Sequence, residues 1–276
     1  MKQWRMVMGM PVTIEITGSD VDPEHFKRLF SYFEHMEEVF SPFRATSRLN
    51  RGYLRLDDCS DEMKTVMRLV ERTRAESDCY FDVYKNGVFN PVGIVKGWAV
   101  YQASELLRQA GDCWAVGIRN PFAQKEIVKF LRLSDMGITT SGTYARGQHI
   151  YDPFGTEGDT IHEIVSLTVL GPNVYEADRF ATAAFAMGPE GIRFIERESG
   201  LEGYVIGKNG IATMTSGFAD YVAGAKPAGT PRRSCPRAEA APRRLPGPAT
   251  RSAAASSSAP PRPGSPRAGA EPDLLP

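Results

Sequence analysis

The chain has 276 residues, 42% hydrophobic and 24% charged, with 33 Lys and Arg against 33 Asp and Glu. This is globular composition at zero net charge, which excludes a global basic field for nucleic acid and an acidic one for a cationic partner. No apolar run is long enough to cross a bilayer. The first residues, "MKQWRMVMGMPVTIEI", lack the apolar core of a secretory signal and any lipoprotein-type cysteine. Cys59, Cys79, Cys113 and Cys235 form no CxxC pair, so neither a disulfide framework nor a zinc site is indicated. The expectation is a cytoplasmic protein with isolated thiols.

In chain order, "MPVTIEIT" (Met10 to Thr17) alternates as a strand does. Asp22-Pro23 opens a helix, Asp as N-cap and Pro in the first turn, with Phe26, Leu29, Phe30, Phe33, Met36 and Val39 at helical spacing. Ser41 to Tyr53 is a polar loop. Ser60-Asp61 caps a second helix carrying Met63, Val66, Met67 and Val70. "CYFDVY" (Cys79 to Tyr84) reads as a short strand, and "GIVKGWAVYQASELLRQAG" as a third helix ending at Gly111. "EIVSLTVLG" is a buried strand and "EADRFATAAFAMG" (Glu176 to Gly188) a helix rich in small residues. "EGYVIG" and "GIATMT" are further strands, closing the ordered part near Tyr221. Strands and helices interleave without a βαβ period, which predicts a mixed α+β domain rather than a doubly wound one.

There is no GxGxxG after a strand, no P-loop, no GxSxG and no HExxH. Four segments are polar for their surroundings. In "FNPVGIVKGWAV" a Gly-containing turn enters a helix near Lys96, which suits a phosphate and equally makes a capped helix with a solvated lysine. In "EADRFATAAF" Asp178 and Thr182 stand four apart on one helix face. With a backbone carbonyl they make an all-oxygen set for a magnesium-like ion. The alternative is a helix-dipole aspartate and a threonine bonded back to a carbonyl. "TTSGTYARGQHIYDP" (Thr139 to Pro153) is too polar for a core strand. It offers hydroxyls at Ser141, Thr143 and Tyr144, a bidentate fork at Arg146 and a near-neutral titrating group at His149. "SPFRATSRLN" sets Phe43 beside Arg44, suited to covering a ring.

The ordered set "VMGMPVTIEI", "FSPFRATSRLN", "YFDVYKNGVFNPVGIVKGWA", "WAVGIRNPF", "ITTSGTYARGQHIYDPFG", "VYEADRFATAAFAMG" and "SGFADYV", running from Val7 to Val222, resembles the ApbE family of FAD:protein FMN transferases. The TSG…HIYDP and ADxxxTA pair weighs most. The resemblance implies a single α+β domain with T-fold-like elements that binds FAD and Mg²⁺, moves FMN to a threonine or serine hydroxyl of a partner protein, and releases AMP. It also implies that Asp178 and Thr182 are side-chain Mg²⁺ ligands and Gly93 a carbonyl ligand. Met8, Phe43, Tyr80, Phe81, Asp82, Asn90 and Lys96 match flavin-binding positions. His149 matches a histidine acting as base, and Ser141, Tyr144 and Arg146 line the pyrophosphate beside it. The sequence departs from the pattern in three places. Asn90 stands where many members carry Asp, "MGM" replaces MGT, and a Gly-Gly-Asp strand after the third helix is missing, since Gly111-Asp112-Cys113-Trp114 runs almost directly into "AVGIRNPF". The missing strand and Asn90 favour, as the alternative, an FAD-binding protein that has lost transfer; a third, weaker reading is an FAD pyrophosphatase in which water replaces the acceptor hydroxyl.

The neutral total hides an asymmetry. Residues 226–276 carry nine Lys and Arg against three Asp and Glu, and twelve of the twenty prolines. No aromatic follows Tyr221. Such a segment buries too little apolar surface to offset its ordering entropy. The expected division is a folded domain over 1–222, lacking a central strand near 111–114, and a disordered tail over 223–276. Removing the tail after Val222 is therefore expected to leave the melting temperature within error of the full chain, as calorimetry would show.

Overall fold

In the computed structural model, residues 1–16, 22–51, 59–85, 88–107, 114–123, 125–143, 150–155 and 161–223 are described, all within the unit Met1–Arg243. The expected tail from residue 224 onward lies outside them.

The chain opens with the antiparallel hairpin β1 (Lys2–Val7) and β2 (Met10–Glu15). Val7, Val12 and Ile14 are buried, and the Arg5 guanidinium lies 4.5 Å from the Phe30 ring centroid. That ring belongs to α1 (Pro23–Phe40), which begins where expected. The Asp22 side chain accepts from the Glu24 N–H, and the expected apolar face, with Phe40, is buried. α2 (Asp61–Glu76) is capped by Ser60, which accepts from the Met63 N–H. Its buried face is Met63, Val66, Leu69, Val70 and Thr73, with Met67 only half-buried. The stripe follows the 3.6-residue period through Leu69, and Met67 sits one position off it.

Cys79 to Tyr84 is not a strand. Asp78 and Cys79 have φ of +49° and +64°, a left-handed pair that breaks extended backbone. The Ser77 hydroxyl then accepts from the Phe81 N–H. Only Tyr84–Lys85 (β3) pairs, with Val88–Phe89 (β4). α3 (Val92–Leu106) follows, and its expected extension to Gly111 falls on residues outside the described set.

Three further strands that the alternation did not bring out complete the sheets. β5 (Trp114–Arg119) and β6 (Ile127–Leu133) form an antiparallel pair. β7 (Gly137–Gly142) takes in the first part of the polar stretch expected to be no strand. It is the edge of a four-stranded antiparallel sheet of order β10-β9-β8-β7, with β8 (Ile164–Gly171), β9 (Glu202–Gly207) and β10 (Ala212–Met214). Its hydroxyls fit there because each has a partner. Thr140 Oγ1 lies 2.8 Å from Thr168 Oγ1 on β8, and Thr139 Oγ1 donates to Asp178. Satisfied side chains override a polar composition.

Between β8 and β9 run α4 (Val174–Ala186), a 3₁₀ turn at Gly188–Glu190 and α5 (Gly191–Arg197). Asn173 caps α4 by accepting from the Glu176 N–H. Leu167, Val169 and Val205 pack with Ala177, Phe180, Ala181 and Phe194 on one side of the sheet. Leu170, Tyr204 and Ile206 pack with Ile118, Leu131, Leu133 and Phe218 on the other. The sheet is thus covered by helices on one face and by the β5–β6 pair on the other. Among the described residues β5 and β6 gain no third strand. Ala223 N–H donates to Phe130 O at 2.7 Å, one residue past the domain end read from the sequence.

The largest fully buried side chain is Arg179 of α4. It pairs with Glu176 and, at 2.6 Å, with Glu76 of α2, while Arg72 adds a second cation 3.7 Å from Glu176. The guanidinium also sits 4.0 Å from the Phe180 ring centroid. Buried pairs add little net stability when intact, but removing one partner is costly. Burial pushes the Glu76 carboxyl up, yet Arg179 and Arg72 outweigh this and hold it below the usual carboxylate range. A depressed carboxylate contributes stability that is complete above its unfolded pKa, about 4.3, and is lost as pH falls through the folded value. Arg179→Met is expected to lower unfolding free energy by about 3 kcal/mol near neutrality. In urea titrations at stepped pH, its deficit relative to the unaltered chain should shrink below about pH 4.

Candidate functional site

Three groups of the expected residues are brought together, and α3 touches each. The first lines a cavity of about 260 Å³, just below the roughly 300–1,000 Å³ of small-molecule pockets. Met8 and Gly9 of the β1–β2 turn, Phe43 and Arg44 of the loop after α1, and Val92, Val95 and Lys96 of α3 surround it. Met8, Phe43 and Lys96, expected from three separate segments, therefore meet. Phe43 is 91% exposed at the rim, an open aromatic face beside an apolar floor. Asn50 donates from its side-chain amide to the carbonyls of Pro42 and Arg44, at 3.0 and 2.8 Å, which fixes that loop.

Met8 is there at a conformational cost. Both Met8 and Gly9 have positive φ, +54° and +64°. That is the two-residue turn a twisted hairpin favours and for which Asn-Gly is the usual solution. A non-glycine residue in the left-handed region carries about 1–2 kcal/mol of strain.

The second group joins Tyr80 and Asp82 to the far end of the polar stretch. The Tyr80 and Phe154 rings meet edge to face at 4.9 Å. Asp82 accepts from the Tyr84 N–H at 2.9 Å and from the Tyr151 hydroxyl at 3.4 Å. Burial, then the Asp82 charge, raises the Tyr151 hydroxyl above its ordinary pKa, so it remains a donor near neutrality. Phe81 is buried, and its ring closes on Gly93, where a Cβ would stand 3.4 Å from Phe81 Cε2. Asn90 accepts from the Val92 N–H at 3.3 Å in the turn just before α3, the local bond of an Asx turn.

The third group surrounds Asp178. Its Oδ1 accepts from Thr139 Oγ1 at 3.0 Å. A Cβ on Gly97 would fall 2.7 Å from Asp178 Oδ2 and Cβ, so the carboxylate lies directly on the backbone of α3. A mid-helix glycine costs about 1 kcal/mol relative to alanine, and here it permits the close approach of α3 and α4. Thr182 Oγ1 donates to Asp178 O at 3.1 Å, the back-bond of the alternative reading. Asn173, not Asp178, caps the helix. Ser141 is buried two positions along β7 from Thr139, opposite Leu167, so both face α4.

Among the described residues no three His, Cys, Asp or Glu side chains gather at one point. A cation would therefore take a mixed oxygen set. Asp178, Thr182 and the Gly93 carbonyl fit a small hard ion in donor chemistry. Tyr144, Arg146 and His149 lie outside the described residues. Sequence reading missed Gly97, Thr139, Tyr151 and Phe154. Of these only Gly97 carried a local signal, a glycine inside a helical pattern.

Comparison with known proteins agrees with this architecture. The fold is that of solved ApbE flavin transferases. The ApbE protein of Thermotoga maritima superposes with a TM-score of 0.70 at 15% identity, over 81% of this chain and 99% of that one. Flavin transferase ApbE of Vibrio cholerae gives 0.67 at 18%, over 80% and 98%. In sequence, the ApbE family model matches residues 107–205, so the resemblance read from the motifs is present there. The chain is 33% identical over 128 residues to the FAD:protein FMN transferase of Klebsiella pneumoniae (strain 342), 42% of this chain and 36% of that protein. It is 34% identical over 111 residues to that of Escherichia coli (strain K12), 37% of this chain and 31% of that protein. The matched region spans about a third of the length of these curated relatives. The family-model match over residues 107–205 holds β7, Asp178 and Thr182, whereas the cavity residues precede it.

Met8→Asn tests the cavity and its strain together. Asparagine tolerates the left-handed turn, so urea denaturation should show a gain of up to about 1 kcal/mol. With the flavin ring in this cavity, as the sequence resemblance implies, FAD added to the variant should also show weaker quenching of flavin fluorescence.

Proposed function

We propose that this protein is a Mg²⁺-dependent FAD:protein FMN transferase that attaches FMN through a phosphoester to a threonine or serine of a partner protein and releases AMP. The observation that carries this reading is the cavity in which Met8, Phe43 and Lys96 converge, together with the oxygen-donor group at Asp178 on the other side of α3. The names of the relatives matched in sequence support it.

In this reading Met8, Phe43 and Lys96, with Tyr80, Phe81, Asp82 and Asn90, bind the flavin end of FAD. Ser141, Tyr144 and Arg146 line its pyrophosphate. Asp178, Thr182 and the Gly93 carbonyl would hold Mg²⁺, which when bound supplies charge neutralisation to the two phosphates. His149 takes the proton of the acceptor hydroxyl. That oxygen bonds to the phosphorus bearing riboflavin while the bridging P–O bond breaks, and AMP leaves with the bond's electron pair. Arg146 offsets charge through its planar fork. Positioning and charge complementarity carry most of such a transfer. The missing Asp at position 90 favours an FAD binder without transfer as the second reading.

One assay separates these. With FAD, Mg²⁺ and an acceptor protein, transfer leaves flavin fluorescence on the acceptor through a denaturing gel. Hydrolysis gives free FMN and AMP, and a binder returns intact FAD. If His149 is the base it must be neutral, and the ordinary histidine pKa is about 6.5, so the rate should fall as pH drops through that region. His149→Ala should slow transfer by ~10²–10⁴-fold and abolish that acid limb. A variant that keeps the limb removes His149 from the role.

A further inference from the structure

We propose that Thr139 is a positioning residue that, with Gly97 opposite it, fixes the rotation of the Asp178 carboxylate. The inference rests on the reading of Asp178 as a cation ligand and adds to it how the ligand is aimed. A carboxylate on a helix turns about two side-chain bonds, and a cation is bound well only if that rotation is settled beforehand. Here the two oxygens meet different elements. Oδ1 accepts from Thr139 Oγ1 at 3.0 Å, a contact between residues 39 apart in sequence. Oδ2 lies against α3 at Gly97, where a methyl group would come within 2.7 Å. The carboxylate is thus held between an edge strand and a neighbouring helix, neither of them its own.

The register of β7 makes Thr139 specific for this task. Thr139 pairs with Val169, and the neighbouring Thr140 pairs with Thr168. Successive residues of a strand point to opposite faces, so only one of these two threonines can face α4. Thr140 turns the other way and spends its hydroxyl on Thr168. Two adjacent residues of the same type therefore make one hydroxyl contact each, one to the carboxylate and one within the sheet. That pair is a built-in control. A hydroxyl that merely stabilised β7 would behave alike at either position.

The test titrates Mn²⁺, read by the free-ion electron paramagnetic resonance signal, into the full chain with FAD present, beside thermal unfolding without metal. The unaltered chain should bind Mn²⁺ and Asp178→Asn should lose it. Thr139→Val should weaken Mn²⁺ affinity by ~10–100-fold, the range for loss of a group that orients a metal ligand. Thr139→Ser, which keeps the donor, should restore most of it. Thr140→Val should lower the melting temperature and leave the affinity unchanged. Thr139→Val with unaltered affinity, beside an Asp178→Asn variant that has lost it, overturns the role of Thr139 and leaves the ligand reading standing. Equal weakening by Thr139→Val and Thr140→Val, in step with their melting temperatures, overturns it as well. An unaltered chain that binds no Mn²⁺ overturns the ligand reading and this proposal with it.

Discussion

The candidate site depends on one close approach, that of α3 to α4 at Gly97 and Asp178. Helix axes come this near only where one of them lacks a side chain. Because Gly97 supplies that gap, a single helix reaches all three groups of site residues. Lys96, one position before the gap, lines the cavity behind the β1–β2 turn. Gly93, one helical turn before it, receives the Phe81 ring. Gly97 itself bears the Asp178 carboxylate. In the proposed transfer the ring of the substrate is held at one point and its phosphates at another, and this helix would set that separation.

Beneath this contact α4 is held more firmly than its small side chains suggest. The alanine-rich face of α4 packs on Leu167 and Val169 of the sheet, and Arg179 ties it to α2 through Glu76. Asp178 and Arg179 are neighbours in sequence that point in different directions. One is a half-buried carboxylate toward α3, the other a fully buried cation toward α2. The ion cluster contributes specificity of placement more than net stability, since desolvation cancels much of its attraction. Left-handed non-glycine backbone occurs at Met8, Asp78, Cys79 and Asp135, the first three in segments that border the expected flavin contacts, and such strain persists only where surrounding structure over-determines it.

The sequence and structural likenesses divide the site between them. The match to the ApbE family model, over residues 107–205, contains the oxygen donors Asp178 and Thr182 and their support on β7. Met8, Phe43 and Lys96 lie before it, and only the fold, which solved ApbE proteins share at 15–18% identity, extends the likeness to that part of the chain.

What the sequence determined by itself is what local chemistry decides. The starts of α1 and α2 follow from Asp22-Pro23 and Ser60, whose side chains bond backbone N–H groups two or three residues on. The buried faces of α1 and β8 follow from spacing alone. The same holds for the pairing of Asp178 with Thr182, which four residues of helix impose. Tertiary structure decided the rest. Thr139 to Gly142 became a strand because Thr168 and Asp178, distant in sequence, satisfy its hydroxyls. Cys79 to Tyr84 failed to become one because two left-handed residues turn the chain toward Gly93. Thr139, Tyr151 and Phe154 were unreadable as site residues for the same reason. Each acquires its meaning from a partner dozens of residues away, and no periodicity records a contact that only tertiary packing brings about.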